Sequence, residues 1–367
     1  MPATTIVSSG GALRLYDDSV QTFDRLPVAT YTIRFSKMTG YSLHETNPLS
    51  PGEEAVYGGH ATRVGRIATG YAAMDRSLGV ILSGDKGMGK SLMIRMLAEK
   101  MREEHELPTV LVQHSTPGLA SFLDELGECL VVFDEFEKVF APGDDDEAPQ
   151  NQFLSLFDGL STTKRLYVLS VNSLDRTSDY MLNRPGRFHY HMRFAYPGPE
   201  TVAEYLRDQV PGITEAEVSA VVEFSRKIDL NFDHLRAIAF ELGLGEDFAA
   251  IIGDLNIKRT SRRGHDPVHA VISWPDGDTD EIDGELDLFA PDALQSIESW
   301  HLDLELRLRM RDALPTPDGY ALPAGAFELI DTRTNKERVE AGEDDKEPDL
   351  SGASVLLQRP PKHSIDF

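Results

Sequence analysis

The chain has 367 residues, of which 36 are Lys or Arg and 61 are Asp or Glu, and its formal net charge is −25. This length predicts two or three domains, with enough chain to bury a core. Sequence-independent binding to nucleic acid phosphates needs Lys and Arg, so an acidic chain makes nucleic acid an unexpected partner. The single cysteine, Cys129, excludes a disulfide framework and indicates a reducing compartment.

Neither a membrane segment nor a secretory signal is expected. No stretch reaches the roughly 18 consecutive apolar residues that a spanning helix needs. The N-terminal segment lacks a basic region followed by an apolar region, which a secretory signal requires. The sequence therefore predicts a cytoplasmic protein with no membrane contact.

Patterning divides the chain into four predicted parts. Short strand-like runs such as 30–35 indicate a β-rich N-terminal module at 1–56. An α/β domain is expected at 57–198, because unbroken apolar runs alternate there with helical stretches, as in a parallel sheet covered on both faces. A small all-α domain, or lid, is expected at 199–257, and an acidic β-rich module at 258–367. The strand candidates of the α/β domain are 80–82, 109–113, 129–133, 165–171 and 189–196.

The C-terminal module is predicted from a period of two. Apolar residues at every second position of 302–310 alternate with charged residues, which indicates a half-buried strand. Further strands are expected at 269–274 and 353–358. The basic run 258–263 is interpreted as an exposed linker, and the acidic run 337–349 as a mobile loop. The helices of the lid are expected at 200–209, 215–227, 232–242 and 248–255.

A phosphate-binding loop is the most specific motif in the sequence. It follows the apolar run 80–82, leads into the helical stretch 92–104, and reads Gly84, Asp85, Lys86, Gly87, Met88, Gly89, Lys90, Ser91. Glycines let backbone N–H groups surround phosphates at a helix N-terminus. Lys90 is expected to reach the β- and γ-phosphates of ATP, and the Ser91 hydroxyl to bind Mg²⁺.

A second acidic motif follows the strand predicted at 129–133. Asp134 and Glu135 come directly after it, where the carboxyl end of a strand faces the ligand crevice of an α/β sheet. Asp134 is expected to hold the Mg²⁺ shell, and Glu135 to activate the attacking water. The alternative interpretation is an ordinary acidic loop after a strand.

Three further motifs give the chain a family resemblance. They are the leucine-rich run 153–160 ending in Asp-Gly, Asn172 after the strand at 165–171, and Asn-Arg-Pro-Gly-Arg-Phe at 183–188. With them, residues 57–256 resemble the AAA+ ATPases of the classic AAA clade. The resemblance implies that Asn172 orients the lytic water. It also implies that Arg184 and Arg187 are arginine fingers, which act on ATP bound by a neighbouring subunit. The resemblance further implies a homo-oligomeric ring, expected to be a hexamer. The implied cofactors are ATP and Mg²⁺.

Two features depart from that clade or are uncommon in it. Arg236 is located where some AAA+ groups have a sensor-2 arginine, a residue that classic members usually lack. The interval between the strands at 109–113 and 129–133 is short and has no aromatic–hydrophobic–Gly pore triplet. The short interval is similar to that of the mitochondrial Rieske-assembly AAA proteins. The residues of the phosphate loop resemble those of AAA ATPases carried by bacteriophages.

The function predicted from the sequence is ATP hydrolysis by a ring-forming ATPase that remodels or assembles a protein substrate. One alternative is a slow, nucleotide-gated scaffold, which the missing pore triplet and the acidic C-terminal module favour. A second alternative is a DNA-associated AAA+ motor, for which the basic run 258–263 is the only support. An exposed linker, or neutralisation of the acidic module, explains that run equally well.

Overall fold

The computed structural model describes residues 5–9, 12–16, 20–52, 56–140, 153–157, 163–174, 188–257, 265–316, 319–333 and 352–360. The chain divides into two compact units, Met1–Ala195 and Tyr196–Phe367. None of the helices within the described ranges has the length and apolar character needed to cross a bilayer.

A seven-stranded sheet forms the centre of the first unit, in the order β4-β3-β6-β7-β8-β5-β9. Every neighbouring pair is parallel except β3 and β4. All residues of β5, β7 and β8 are buried, which is why these strands are unbroken apolar runs in the sequence. The predicted α/β class is confirmed. The strands are β3 Thr30–Ser36, β4 Gly40–Thr46, β5 Leu78–Ser83, β6 Thr109–Val112, β7 Leu130–Phe133, β8 Leu166–Val171 and β9 Tyr190–Arg193.

Helices and a cluster of aromatic rings cover this sheet. The ring of Phe133, at the end of β7, lies 5.4 to 5.9 Å from four other phenylalanine rings. All five rings are buried, so they fix the end of β7, where Asp134 and Glu135 follow. The helices are α1 His60–Ala73, α2 Lys90–His105, α3 Leu119–Glu125, α4 Phe136–Val139 and α5 Leu154–Phe157.

Strands from the N-terminal part of the chain extend the central sheet. Thr30–Ser36 (β3) pairs in parallel with Thr109–Val112 (β6), so the segment 30–46 belongs to the central sheet. The Tyr41 side chain secures this edge, because its ring stacks on Phe122 at 4.7 Å and its hydroxyl donates to the Pro117 carbonyl at 2.8 Å. Only the hairpin of β1 (Thr5–Ser9) and β2 (Ala12–Tyr16) forms a separate sheet.

The second unit contains helices followed by two antiparallel sheets. A five-stranded sheet has the order β11-β10-β17-β15-β14, and a three-stranded sheet has the order β12-β13-β16. The helices are α6 Pro199–Gln209, α7 Glu215–Lys227, α8 Phe232–Gly243 and α9 Phe248–Ile251. The strands are β10 Asp266–Ser273, β11 Thr279–Leu286, β12 Gln295–Ser299, β13 Leu304–Leu308, β14 Leu314–Thr316, β15 Gly319–Leu322, β16 Phe327–Asp331 and β17 Ser354–Gln358.

The strand predicted from the period of two is confirmed but shorter. Leu304, Leu306 and Leu308 of β13 face the core, while the charged side chains between them lie on the opposite face. The strand begins only after Asp303, whose φ of 51° is left-handed, and Met310 belongs to a 3-10 helix. The predicted helix 248–255 is likewise shorter, and the runs 258–263 and 337–349 lie outside the described residues.

The helical and β-rich parts predicted as separate domains pack together in this unit. The Phe224 ring of α7 contacts the Phe289 ring at 5.9 Å. Arg359, just after β17, forms an ion pair with Asp229 at 2.7 Å. Aromatic packing and a partly buried ion pair therefore join the two parts across the predicted boundary at 257/258.

Acid is expected to destabilise the first unit through His191 of β9. Burial, and secondarily the charge of Arg193, lowers the pKa of His191 to about 4, while its Nε2 lies 2.7 Å from Ser83 Oγ. Since an unfolded histidine has a pKa near 6.5, the unfolded chain binds a proton between these pH values that the folded chain does not. Stability should fall by about 2 kcal/mol from pH 8 to pH 5 for this reason.

Urea unfolding at the two pH values measures this loss. The His191→Gln variant should show a smaller pH effect than the wild type. The variant His189→Gln, which changes an exposed histidine two positions earlier, is the control and should retain the full effect. An equal pH effect in all three proteins would contradict the assignment to His191.

Candidate nucleotide-binding site

The glycine-rich loop connects buried β5 to the start of α2. Gly84 and Gly89 have φ values of 146° and 88°, which side-chain-bearing residues rarely adopt. A Cβ on Gly84 would lie 2.5 Å from the Phe194 carbonyl oxygen, and one on Gly89 would lie 2.8 Å from His60 Nε2. Both positions therefore require glycine. No side chain caps the N-terminus of α2 and no acidic residue lies in its first turn, so its backbone N–H groups suit an anion.

Lys90 is the cation at the centre of this loop. Its side chain is buried, and its Nζ donates to the carbonyl of Gly84, to the carbonyl of Asp85 at 2.8 Å and to Asn172 Oδ1 at 2.9 Å. Burial lowers the pKa of Lys90, whereas nearby carboxylates, above all Glu137, oppose that shift. All three ammonium hydrogens thus have oxygen acceptors on the loop or the neighbouring strand end.

The other residues of the motif surround this lysine. Met88 is buried, whereas Lys86 is exposed and its Nζ lies 3.7 Å from Glu135 Oε1. Gly87 has a φ of 74°. Ser91 is exposed as the second residue of α2, a position from which its hydroxyl can reach a metal ion on the loop.

Asp134 and Glu135 follow β7, and Asn172 follows the neighbouring strand β8, which ends at Val171. Asp134 Oδ1 accepts a hydrogen bond of 2.6 Å from the Ser170 hydroxyl, which in turn accepts one of 2.9 Å from the backbone N–H of Glu135. Ser170 is therefore a bridge between the two acidic residues, and sequence reasoning missed it. Its only sequence signal is a polar residue in an otherwise apolar strand.

The Glu135 carboxylate is ionised and partly open to solvent. Its Oε1 accepts from Lys138 Nζ at 2.5 Å and from Asn172 Nδ2 at 3.4 Å. The hydrogen bond from Lys138 is the main cause that lowers the pKa of Glu135, and the charges of Lys138 and Lys86 act in the same direction. A carboxylate that is charged at neutral pH can accept a proton from water.

Glu137 is a second residue that sequence reasoning missed. It is 2% exposed, and its Oε1 accepts from the backbone N–H of Asn172 at 3.1 Å and from Asn172 Nδ2 at 2.9 Å. The Asn172 amide is thereby fixed, with Oδ1 toward Lys90 and Nδ2 toward the carboxylates. The sequence signal for Glu137 was an acidic residue directly after a phenylalanine, in the short helix Phe136–Val139.

Removing the Glu137 carboxylate should slow the ATP hydrolysis that the sequence predicts, without preventing the binding of ATP. In Glu137→Ala the Asn172 amide loses its anchor and a buried N–H loses its acceptor, so we expect kcat to fall about tenfold with KM little changed. Glu137→Gln keeps one acceptor oxygen and should recover much of the rate. Steady-state kinetics checks both, with the exposed Glu125→Ala as control. A folded Glu137→Ala variant with wild-type kcat would contradict this role.

Three of the predicted site residues are not among the described residues of the first unit. Arg184 and Arg187 lie outside the described residues. Arg236 is on α8 of the second unit, where an ion pair of 3.7 Å joins it to Asp233. The predicted roles of all three arginines stay predictions.

Part of the chain matches the model of a known protein family. Residues 80–196 match the model of the ATPase family associated with various cellular activities (AAA). The chain is 21% identical over 248 residues to the ATP-dependent zinc metalloprotease FtsH 3 of Conexibacter woesei. This match covers 56% of this chain and 33% of that protein. It is 25% identical over 152 residues to the putative ribosome biogenesis ATPase nvl of Dictyostelium discoideum, covering 36% of this chain and 17% of that protein. The chain thus spans a third or less of these relatives.

Proposed function

Because the chain carries a domain of the AAA+ ATPase superfamily at residues 80–196, we propose that it binds ATP with Mg²⁺ at the loop 84–91 and hydrolyses it. The observation that supports this most is the position of Lys90. Its buried ammonium lies on the glycine loop within 2.9 Å of Asn172 Oδ1, beside the strand that ends at Asp134 and Glu135. The proposed binding cation therefore follows β5, and the proposed metal ligand and base follow β7, with β8 between these two parallel strands.

Binding of the triphosphate is assigned to the loop and the start of α2. Lys90 exchanges neutral oxygen acceptors for charged phosphate oxygens, which form stronger hydrogen bonds. The hydroxyl of Ser91 and the carboxylate of Asp134 are the proposed protein ligands of Mg²⁺, a metal that usually retains waters and phosphate oxygens in its shell. When bound there, Mg²⁺ would supply positive charge that offsets the charge of the β- and γ-phosphates. Ser170 holds the Asp134 carboxylate through its 2.6 Å hydrogen bond.

Hydrolysis is assigned to Glu135 and Asn172. Glu135 accepts a proton from the attacking water, whose oxygen forms the new bond to the γ-phosphorus as the bond to the ADP oxygen breaks. Asn172 orients that water, with its own amide held by Glu137 at 2.9 Å. Lys86 and Lys138 keep Glu135 ionised before the reaction.

A homo-oligomeric ring, expected to be a hexamer, is the proposed assembly. Arg184 and Arg187 are the proposed fingers that stabilise transition-state charge on ATP bound by the neighbouring subunit. We further propose that the ring remodels or assembles a protein, since a net charge of −25 disfavours a nucleic acid backbone as substrate. The short α3 between β6 and β7 has no aromatic–hydrophobic–Gly triplet, which favours a slow nucleotide-gated scaffold as second candidate.

The rate of ATP hydrolysis per protomer, measured against protein concentration, tests the shared site. A composite site should give a rate that rises cooperatively with concentration, and Arg184→Ala should lower the plateau on the order of 10³-fold. Arg207→Ala, which removes an exposed arginine paired with Glu215, is the matched control and should behave as wild type. A slow rate that is independent of concentration and of Arg184 would contradict the trans fingers and favour the scaffold.

A further inference from the structure

A pocket of about 360 Å³ lies within the second unit, between the end of α7 and the five-stranded sheet. Arg226 and Asp229 line it on the helical side, and Val268, Tyr320, Leu357 and Arg359 on the side of the sheet. This volume is within the range of small-ligand sites, and a mixture of apolar walls with a few polar groups is typical of them. Nothing in the proposed ATPase mechanism uses these residues.

Both guanidinium groups have hydrogen-bond donors to spare. Arg226 donates through Nε to Glu223 at 3.2 Å and through Nη1 to the Thr316 carbonyl, and Arg359 donates through Nη1 to Asp229 Oδ1 at 2.7 Å. Within the described part of the chain, Nη2 of Arg226 and both Nε and Nη2 of Arg359 have no hydrogen-bond acceptor. Asp229, the carboxylate among the described lining residues, is paired with Arg359 through its Oδ1.

Tyr320 contributes a third donor to the same pocket. It is 7% exposed, and its hydroxyl has no hydrogen-bond partner among the described residues. Burial, with the charge of Glu223, raises the pKa of Tyr320 to about 12, although the two arginines oppose that shift. The hydroxyl is therefore protonated and able to donate. A buried hydroxyl without an acceptor is energetically unfavourable, and the described residues supply none for Tyr320, so an oxygen of a ligand is a suitable partner.

The geometry points to a site for a carboxylate that is carried by an apolar group. The planar guanidinium groups of the two arginines can each donate paired hydrogen bonds to the two oxygens of a carboxylate, and the tyrosine hydroxyl adds a further donor. The charges of Arg226 and Arg359 are balanced in part by Asp229 on the lining and by Glu223 beside Arg226, which suits a monoanion better than a phosphate dianion. Val268 and Leu357 provide apolar wall for the rest of the ligand. A small organic acid and the C-terminal residue of a polypeptide share this chemistry.

Binding to the full-length protein tests the proposal directly. Calorimetric titrations would use hexanoate, N-acetyl-Ala-Leu with a free carboxylate, the uncharged amide of each, and inorganic phosphate. The acids should bind at least tenfold more tightly than their amides and more tightly than phosphate. The acid that binds more tightly identifies the source, since a peptide C-terminus adds backbone contacts that hexanoate lacks. Amides that bind as well as acids, phosphate as the preferred ligand, or no binding by either acid would overturn the proposal.

Tyr320→Phe is the decisive variant, because it removes only the hydroxyl and keeps the buried ring. It should weaken binding of the preferred acid about tenfold, while the melting temperature of the ligand-free protein stays the same or rises. Arg359→Lys keeps a positive charge beside Asp229 but loses the planar guanidinium group, so it should also weaken binding of the acid about tenfold. The exposed Arg311→Lys, which lies elsewhere in the same unit, is the control. Unchanged affinity in Tyr320→Phe and Arg359→Lys would refute the pocket.

These titrations are made without nucleotide, so the outcome is independent of the proposed ATPase. A failed carboxylate site would leave the assignment of Lys90 and Glu135 intact. Conversely, a chain that hydrolyses no ATP would still be expected to bind the acid.

Discussion

Replacing Lys90 with alanine is expected to weaken the binding of ATP by at least about 100-fold. The ammonium is buried on the loop, and its three donors are held by oxygens at the place where the phosphates are proposed to bind. Charge-assisted hydrogen bonds contribute about 1.5–3 kcal/mol each, and Lys90 is placed to form more than one with the triphosphate. Titration with a fluorescent ATP analogue measures the effect.

Lys100→Ala is the matched control for this experiment. Lys100 is on the same helix, α2, but its side chain is paired with Glu104 at 2.5 Å on the surface, and a surface ion pair of this kind contributes little to stability. The control should bind ATP like the wild type. Equal affinities of Lys90→Ala and Lys100→Ala would show that the phosphates do not bind on this loop.

Replacing Glu135 with glutamine is expected to stop turnover while ATP stays bound. Glutamine keeps the shape of the side chain and an oxygen acceptor, but it cannot accept a proton from water at neutral pH. Loss of a general base costs about 10²–10⁴ in rate, so kcat should fall within that range while the affinity for ATP stays within a few-fold of wild type. Single-turnover hydrolysis and nucleotide titration on the same preparation separate the two quantities.

The exposed Glu125→Gln on α3 controls for the change in charge, and it should hydrolyse ATP at the wild-type rate. Loss of binding together with turnover in Glu135→Gln would instead assign Glu135 to the nucleotide or metal shell. Retained turnover would contradict its role as the base.

The phosphate loop could be predicted because its chemistry is contained in contiguous residues. Gly84 and Gly89 are required by local backbone angles and by close neighbours, so the pattern itself encodes the geometry. Asp134 and Glu135 could be located because a buried apolar strand precedes them, and parallel strands end at the same edge of a sheet. The α/β class followed from the same unbroken apolar runs.

Features that depend on distant pairing could not be predicted in this way. β3 joins the central sheet through hydrogen bonds to β6, more than 70 residues later, and no local pattern specifies that partner. In the sequence, Glu137 is one more charged residue after the acidic motif. Only its burial against Asn172 shows that it holds the Asn172 amide in place. The pocket of the second unit brings Arg226 to Tyr320 and Arg359 across about a hundred residues of chain, a convergence that becomes visible only in three dimensions.

Release of phosphate from ATP by the purified 367-residue chain, measured with Mg²⁺ and with excess EDTA, tests whether the protein is a Mg²⁺-dependent ATPase. We expect release that requires Mg²⁺, that disappears in Glu135→Gln although this variant still binds ATP, and that is absent in Lys90→Ala because ATP no longer binds. Release that persists in EDTA, or at equal rates in the wild type and Glu135→Gln, would contradict this expectation.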